Sequence, residues 1–80
     1  GFTGLASDRV TGIMYASSND LAGSSLYTID LDRATATRIG PVTNSPGLIA
    51  IAINNQGQMF GVDILLNSLI KINKNYFSLI

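Results

Sequence analysis

The sequence predicts an all-β protein made of two similar repeats, each forming a four-stranded antiparallel sheet. The repetition is direct, because residues 25–31 (SLYTIDL) return as residues 68–74 (SLIKINK), 43 positions further along the chain. Clusters of Gly, Asn and Asp fall about every ten residues, and the segments between them are rich in β-branched and aromatic residues, as strands are. In residues 26–30 the side chains also alternate with the two-residue period of a strand.

Each repeat contains the same four predicted strands in the same order. In the first repeat they cover residues 3–7, 13–17, 25–30 and 36–39. In the second repeat they cover residues 48–53, 58–63, 68–73 and 76–80. The connections contain Asn, Asp and Gly, which tolerate the positive φ values that tight hairpins require. The first repeat therefore occupies residues 1–43 and the second residues 44–80.

The length of the repeat favours a β-propeller blade. The offset between equivalent strands falls from 46 positions for the first strand to 43 for the third, and a period of about 40–45 residues with several short strands is typical of propeller blades. The strand at Leu48–Ile53 is apolar throughout, so we expect it to be buried on both faces, as the innermost strand of a blade is. Residues 40–47 contain two Pro and two Gly, which excludes a central strand and predicts the crossover between the blades.

Four segments carry a resemblance to a known family. They are GLASDRVTGIMYASSN at residues 4–19, SSLYTIDLDRATATRIG at 24–40, GQMFGVD at 57–63 and NSLIKIN at 67–73. Together they resemble the repeats of bacterial secreted β-propeller proteins, which run as Gly-Leu-Ala-x-Asp, Thr-Gly-x-Leu-Tyr, Leu-Tyr-x-Ile-Asp and Thr-x-Ile-Gly strands. The resemblance implies two propeller blades over nearly the whole chain and no particular activity, because many such propellers have unknown function. The chain departs from the family at Ala34, where the repeats often have Gly.

The composition excludes several classes of function. The chain has 80 residues, no net charge and only 12% charged residues, so we expect no nucleic-acid partner and no polybasic membrane surface. Its longest strongly apolar run has six residues, which is too short for membrane insertion. Without His, Cys or Glu the chain offers no nucleophile–base pair, and we predict no enzyme activity, no cofactor and no metal site. Few charges and abundant Ser, Thr, Asn and Gly favour an extracellular or periplasmic location, with the cytoplasm left open.

Two blades leave apolar faces uncovered, because propellers close with about 4–8 blades and large apolar patches rarely stay exposed on monomers. We therefore predict a structural or interaction module that assembles with further blades, from the same chain or from other copies, into a toroid or fibre. Three arrangements remain open: a piece of a longer propeller, a closed ring of copies, and a head-to-tail filament. The first residue, Gly1 in place of Met, favours the piece of a longer propeller. A further alternative is a cross-β fibre nucleated by Leu48–Ile53, which is uncharged and free of Pro and Gly.

The alternative function is the binding of a glycan or small polar ligand at the loops. In a propeller, the loops that follow the second strands and the crossovers between blades lie on the same face, and loops on a rigid scaffold often carry function. The candidate ligand-binding residues are the polar side chains of these loops, namely Asn19, Asp20, Thr43, Asn44, Ser45, Asp63 and Asn67.

Several other side chains are assigned structural roles. Asp30 and Asp32 lie on one side of an extended segment, as calcium ligands can, but we favour a turn in which an aspartate caps backbone amides with Arg33 nearby. Tyr15, Tyr27 and Phe60 could stack on sugar rings, but Tyr15 and Phe60 occupy equivalent repeat positions, which favours the core for these aromatic residues. The cationic residues are expected at solvated rim positions, these being Arg9, Arg33, Arg38, Lys71 and Lys74. A Lys74→Asp substitution should therefore change little.

Overall fold

The structure, a computed structural model, describes residues 1–20 and 23–74, and in these residues two antiparallel sheets account for all the strands. Sheet 1 consists of β1 (Phe2–Ser7), β2 (Met14–Asp20), β3 (Gly23–Asp30) and β4 (Thr35–Val42). Sheet 2 consists of β5 (Leu48–Ile53), β6 (Met59–Asp63) and β7 (Ser68–Ile72). The all-β prediction is confirmed, with two antiparallel sheets of four and three strands. The eighth predicted strand, at residues 76–80, lies outside the described residues.

Within each sheet, strands that follow one another in the chain pair side by side, because only short segments of chain separate them. The turn after β3 shows how the local sequence achieves this. Asp30 Oδ1 accepts the N–H groups of Asp32 at 3.0 Å and Arg33 at 3.2 Å, and Arg33 Nε lies 3.9 Å from Asp30 Oδ2. The turn ends at Ala34, which has φ of 55° in the left-handed region that glycine populates most readily. These contacts are those of the predicted capped turn.

Strand β4 is longer than predicted. The sequence places its end at Ile39, since Gly40 and Pro41 follow, whereas the structure continues the pairing with β3 to Val42. Proline lacks an N–H donor, so it is tolerated only where the sheet does not need that hydrogen bond. Strand β4 has β3 on one side and no strand on its other side within the described chain, and this edge position accommodates Pro41.

The hydrophobic core lies between the two sheets. Strands β1 and β2 of sheet 1 lie against β5 of sheet 2. The buried core side chains are Tyr15, Leu26 and Val42 from sheet 1 and Leu48, Ile51, Met59 and Ile72 from sheet 2. The sheets approach closely at Gly4, where an added Cβ would lie only 2.9 Å from the backbone nitrogen of Ile51. The core assignment of Tyr15 is confirmed, while its counterpart Phe60 is half-buried.

The prediction that β5 is buried on both faces is wrong for the described chain. Leu48 and Ile51 are buried against sheet 1, but Ile49 is 38% exposed and Ala52 is also exposed. An uninterrupted apolar run predicts two covered faces, whereas sheet 1 covers only one face of β5. The apolar residues on the other face are therefore open to solvent in the isolated chain.

Candidate functional site

Asp63 is the centre of a buried hydrogen-bond network at one end of the sheets. Its carboxylate is fully buried at the end of β6. Oδ2 accepts the Ser45 hydroxyl at 2.7 Å and the Gly47 N–H at 3.1 Å, while Oδ1 accepts the N–H groups of Leu65 and Leu66, both at 2.9 Å. The carboxylate thus holds the crossover between the sheets against the loop that follows β6.

The same hydrogen bonds decide the charge of Asp63. Burial raises the pKa of this carboxyl, but the donors from Leu66, Ser45, Gly47 and Leu65 together outweigh burial and hold the pKa below its ordinary value. Asp63 is therefore ionised at neutral pH. Because both of its oxygens already accept two hydrogen bonds within the chain, the carboxylate serves to position the loops.

Asn19 makes a second connection at the same end of the sheets. Its Nδ2 donates to the Pro46 carbonyl at 2.7 Å and to the Ser24 hydroxyl at 2.9 Å. The Ser24 hydroxyl in turn accepts the N–H of Leu48 at 3.2 Å. The hairpin between β2 and β3 is therefore fastened to the start of β5. The structure brings Asn19, Ser45 and Asp63 together at the crossover, as contacts between neighbouring loops.

The other candidate ligand-binding residues are exposed. Thr43 and Asn44 line a groove of about 360 Å³ beside the crossover. Asp20 lies at the end of β2, opposite Gly23 of β3. Asn67 lies in the loop after β6, and its φ of 52° accounts for an asparagine there. Of the predicted set, Thr43, Asn44 and the buried Ser45 line this groove, and ligand binding there stays a prediction.

Asp8 and Lys74 form an ion pair at the opposite end of the sheets, and sequence reasoning missed it. Lys74 Nζ lies 2.7 Å from Asp8 Oδ2, with 14% of the lysine side chain and none of the aspartate side chain exposed. The ammonium also donates to the Gly57 carbonyl, and Asp8 Oδ1 accepts the Val10 N–H at 2.9 Å. The prediction of Lys74 as a solvated rim residue is therefore wrong.

A signal for this pair exists in the repeat. Asp8 corresponds to Asn54 in the second repeat, and Lys74 corresponds to Leu31 in the first. Each position is thus charged in one repeat and uncharged in the other, and the two charges have opposite sign. The comparison of the repeats marks both positions as different, but only the fold shows that the two side chains contact one another.

The ion pair changes the titration of the residues around it. The hydrogen bond from Lys74 holds the pKa of Asp8 below its ordinary value, against the effect of burial. Burial raises the pKa of Tyr15, and the Asp8 charge adds to this effect while the Lys74 charge opposes it. Asp8 is therefore ionised at neutral pH, and Tyr15 stays neutral.

The face of sheet 1 that points away from the core is apolar and open. Cross-strand partners lie on the same face of a sheet, so the pairing places Leu5, Ala16 and Tyr27 in one row of this face and Met14 and Ile29 in the next. These five residues define the open face of sheet 1, in which Leu5 is 62% exposed, Met14, Tyr27 and Ile29 are half-buried and Ala16 is buried. Arg38, which pairs with Tyr27, continues the first row. An apolar cavity of about 410 Å³ lies along it.

Sheet 2 has a corresponding open face on its far side. The pairing places Ala52 and Phe60 in one row of this face, and Ala50, Val62 and Leu69 in the next. These five apolar residues define the open face of sheet 2, and the exposed Lys71, which pairs with Phe60, continues the first row. Leu69 is 70% exposed and Val62 is 42% exposed. The pair of sheets therefore presents apolar surface on both of its outer sides.

Other classes of site find no support in the described ranges. Residues 1–20 and 23–74 bring together no group of three or more His, Cys, Asp or Glu side chains that could hold a metal ion. Over the same ranges no helix is long and apolar enough to cross a membrane. Comparison with protein-family models, curated proteins and solved structures finds no match to this chain. Its function is therefore inferred from its own residues and geometry.

Proposed function

We propose that this chain is a structural and interaction module, in which two sheets of the β-propeller-blade type assemble with further blades into a toroid or fibre. The further blades come from the same chain or from other copies. The observation that carries the proposal is the pair of open apolar faces on the outer sides of the two packed sheets. Leu5 and Leu69, on opposite outer sides, are 62% and 70% exposed.

The energetics of apolar surface support assembly. Soluble monomers rarely leave contiguous apolar patches of more than a few hundred Å² exposed, and terminal units of repeat proteins need a polar outer face to end the array. Within residues 1–20 and 23–74, neither outer side of the two sheets has such a face. Burial of these side chains against another sheet would remove them from water at about 25 cal/mol per Å² of apolar area.

The order of the strands supports the blade type. Each sheet follows the chain order, and the crossover leads from β4, the last strand of sheet 1, to β5, the first strand of sheet 2. Strand β5 lies against β1, its counterpart in the first repeat. Contact between the first strands of successive sheets is what a radial arrangement of blades requires.

The test is the native mass of the purified chain, measured by light scattering over a range of concentrations. A discrete multiple giving six or eight blades supports a toroid, and an open-ended mass supports a fibre. Fibre diffraction with a reflection at about 4.7 Å along the fibre axis would instead indicate cross-β assembly through Leu48–Ile53. A folded monomer that binds no apolar dye would overturn the proposal.

A second candidate function is the binding of a glycan or small polar ligand at the groove beside the crossover. The observation that favours it is the exposure of Thr43 and Asn44 along this groove. The test is a glycan array with the Asn44→Gly variant as control, because glycine keeps the positive φ of 60° while removing the amide. Binding that the variant loses supports this function, and an array without signal counts against it.

A further inference from the structure

Two side chains on the open face of sheet 1 match two side chains on a face that the chain itself buries. By the repeat alignment, Met14 and Ile29 of sheet 1 correspond to Met59 and Ile72 of sheet 2. Met59 and Ile72 lie in the core between the sheets, whereas Met14 and Ile29 lie on the open face of sheet 1. The open face therefore carries the side chains that, one repeat later, are covered by a sheet.

The converse holds for the open face of sheet 2. Tyr15 and Leu26 of sheet 1 lie in the core, and their counterparts one repeat later are Phe60 and Leu69. Leu26 is 2% exposed and Leu69 is 70% exposed. The same kind of side chain is thus buried in the first repeat and left open in the second, because sheet 2 has no following sheet in the described chain.

These two relationships identify the occupant of each open face. The interface inside the chain joins one side of a sheet to the opposite side of the next, so it is heterologous. We propose that the open face of sheet 2 docks onto the open face of sheet 1 in a second copy of this chain, repeating the intrachain packing. In this interface the first copy supplies Leu69 and Phe60, which occupy the positions that Leu26 and Tyr15 have inside the chain. The second copy supplies Met14 and Ile29, which occupy the positions of Met59 and Ile72. This inference rests on the proposed function and specifies its partner and polarity.

The differences between the repeats are compatible with this docking. On the core face of sheet 1, Tyr15 pairs with Thr28, whereas on the open face of sheet 2 its counterpart Phe60 pairs with Lys71. Lysine can lay its methylene chain along apolar surface while its ammonium group reaches water. At the row where sheet 2 has Gly61 inside the core, the open face of sheet 1 has Ala16. The open face of sheet 1 also has Ser7 and Tyr27 where the buried face of sheet 2 has Ile53 and Ile70. The interface between two copies therefore repeats the arrangement of the sheets with different side-chain volumes at these positions.

The polarity of the interface has a structural consequence. In a heterologous dimer, one copy keeps a free sheet 1 face and the other keeps a free sheet 2 face. Every copy that is added therefore leaves one open face at each end of the assembly. Growth stops if the rotation between copies closes a ring and continues as a fibre if it does not. Assembly in steps of whole copies is expected in both cases.

Two variants, each inactivating one face, test the polarity. Leu5→Lys places a charge on the open face of sheet 1, and Leu69→Lys places one on the open face of sheet 2. Both side chains are exposed, at 62% and 70%, so the fold of the single chain is preserved. Ile64→Lys is the matched control, since Ile64 is 58% exposed in the loop after β6 and lies on neither face.

The expected result is complementation. Each variant alone is monomeric, and a mixture of the two forms a one-to-one heterodimer that does not grow, because each partner supplies one intact face. Native mass spectrometry with one variant labelled with ¹⁵N distinguishes the heterodimer from homodimers. The Ile64→Lys control assembles as the unsubstituted chain does. If either Lys variant loses its far-UV circular dichroism spectrum, Phe2→Lys and Val62→Lys test the same two sides.

Other results overturn the inference in different ways. If each variant alone forms a homodimer and the mixture forms no heterodimer, the faces pair with like faces; the inference is then wrong while the proposed assembly function stands. If both variants assemble as fully as the control, neither face is an interface, and both statements are wrong. If the unsubstituted chain is monomeric at every concentration, the inference is wrong, and the proposed function fails with it only if that monomer also binds no apolar dye.

Discussion

Lys74 Nζ lies 2.7 Å from Asp8 Oδ2, and this contact joins the two sheets at the end opposite to the Asp63 network. Asp8 follows β1 in sheet 1, and Lys74 follows β7 in sheet 2. Both side chains are largely shielded from water, so neither charge can be solvated freely if the other is removed. In such a site the loss of one partner is more damaging than the loss of both.

Replacement of Lys74 tests how much the ion pair contributes to the stability of the fold. Lys74→Met should lower the Tm by about 10 °C or more, because it leaves the buried Asp8 carboxylate without its cation. Thermal unfolding followed by circular dichroism at one fixed protein concentration measures the change, since assembly makes Tm concentration-dependent. Arg9→Met, at an exposed position next to Asp8, is the control and should shift Tm by less than about 4 °C.

The double substitution distinguishes a lost ion pair from lost packing. Asp8→Asn combined with Lys74→Leu copies the residues Asn54 and Leu31 of the other repeat. It should recover part of the Tm lost in Lys74→Leu alone, because the unpaired charge is removed. Equal losses in the single and double variants would show that the charge of Asp8 plays no part.

Stability should fall in acid because of Asp8 and Asp63. The pKa of each carboxyl is below its ordinary value in the folded chain, so below neutral pH the unfolded chain binds more protons than the folded one. The stabilisation that the two ionised carboxylates provide is fully present above the unfolded-state pKa of about 3.9. It is lost as the pH falls through the lower pKa values of the folded chain. We expect a constant Tm from about pH 5 to 7 and a decreasing Tm below about pH 4.

The Asp63→Asn variant provides the control for this pH dependence. It should have a lower Tm at pH 7, because the Asn amide cannot accept hydrogen bonds at both positions. Its Tm should also change less between pH 4 and pH 2 than that of the unsubstituted chain. If the unsubstituted chain kept its Tm down to about pH 2, the ionised networks would not contribute to stability.

Gly4 tests the close approach of the sheets. A Cβ at this position would lie 2.6 Å from Ser17 Oγ and 2.9 Å from the backbone nitrogen of Ile51. Gly4→Ala should therefore reduce the free energy of unfolding by about 1–3 kcal/mol, since backbone atoms must move to admit the methyl group. Chemical denaturation measures the change. Gly1→Ala is the control, because a Cβ there meets no atom of the described chain within 4 Å, and equal stability of the two variants would contradict the packing.

Ala34 offers a stabilising change. Its φ of 55° is unfavourable for alanine and accessible to glycine. Ala34→Gly should raise the free energy of unfolding by about 0.5–1 kcal/mol, measured by chemical denaturation. Ala36→Gly, in the extended part of β4, should lower it by a similar amount because glycine weakens a strand. A loss of stability in Ala34→Gly would mean that this turn does not adopt the left-handed conformation.

Much of the fold follows from local signals in the sequence. The alternation in residues 26–30 and the Asx and Gly turns place seven of the predicted strands close to their positions in the structure. The sequence predicts that β4 ends before Pro41, whereas the structure continues the strand through it. Proline is excluded from a strand only where the neighbouring strand needs its N–H donor. That requirement depends on which strand lies at the edge of the sheet.

The polar sites were predicted less completely. Asn19, Ser45 and Asp63 meet at the crossover, in the loops from which the sequence selected them. The sequence did not reveal that Asp63 turns inward, because its partners include the backbone N–H groups of Leu65 and Leu66, whose positions depend on the folded loop. Lys74 was misplaced for the same reason, since its partner Asp8 lies in the other repeat.

By itself, the sequence determined the all-β class, the two repeats and the order of the strands, because periodicity and turn residues act over short stretches of chain. Only the tertiary structure decided which face of each sheet is covered. Leu26 and Leu69 occupy equivalent positions in the sequence, yet one is buried and the other is 70% exposed. The physical reason is that burial depends on whether another sheet packs there, and in the described chain sheet 1 has such a neighbour on its Leu26 side while sheet 2 has none on its Leu69 side.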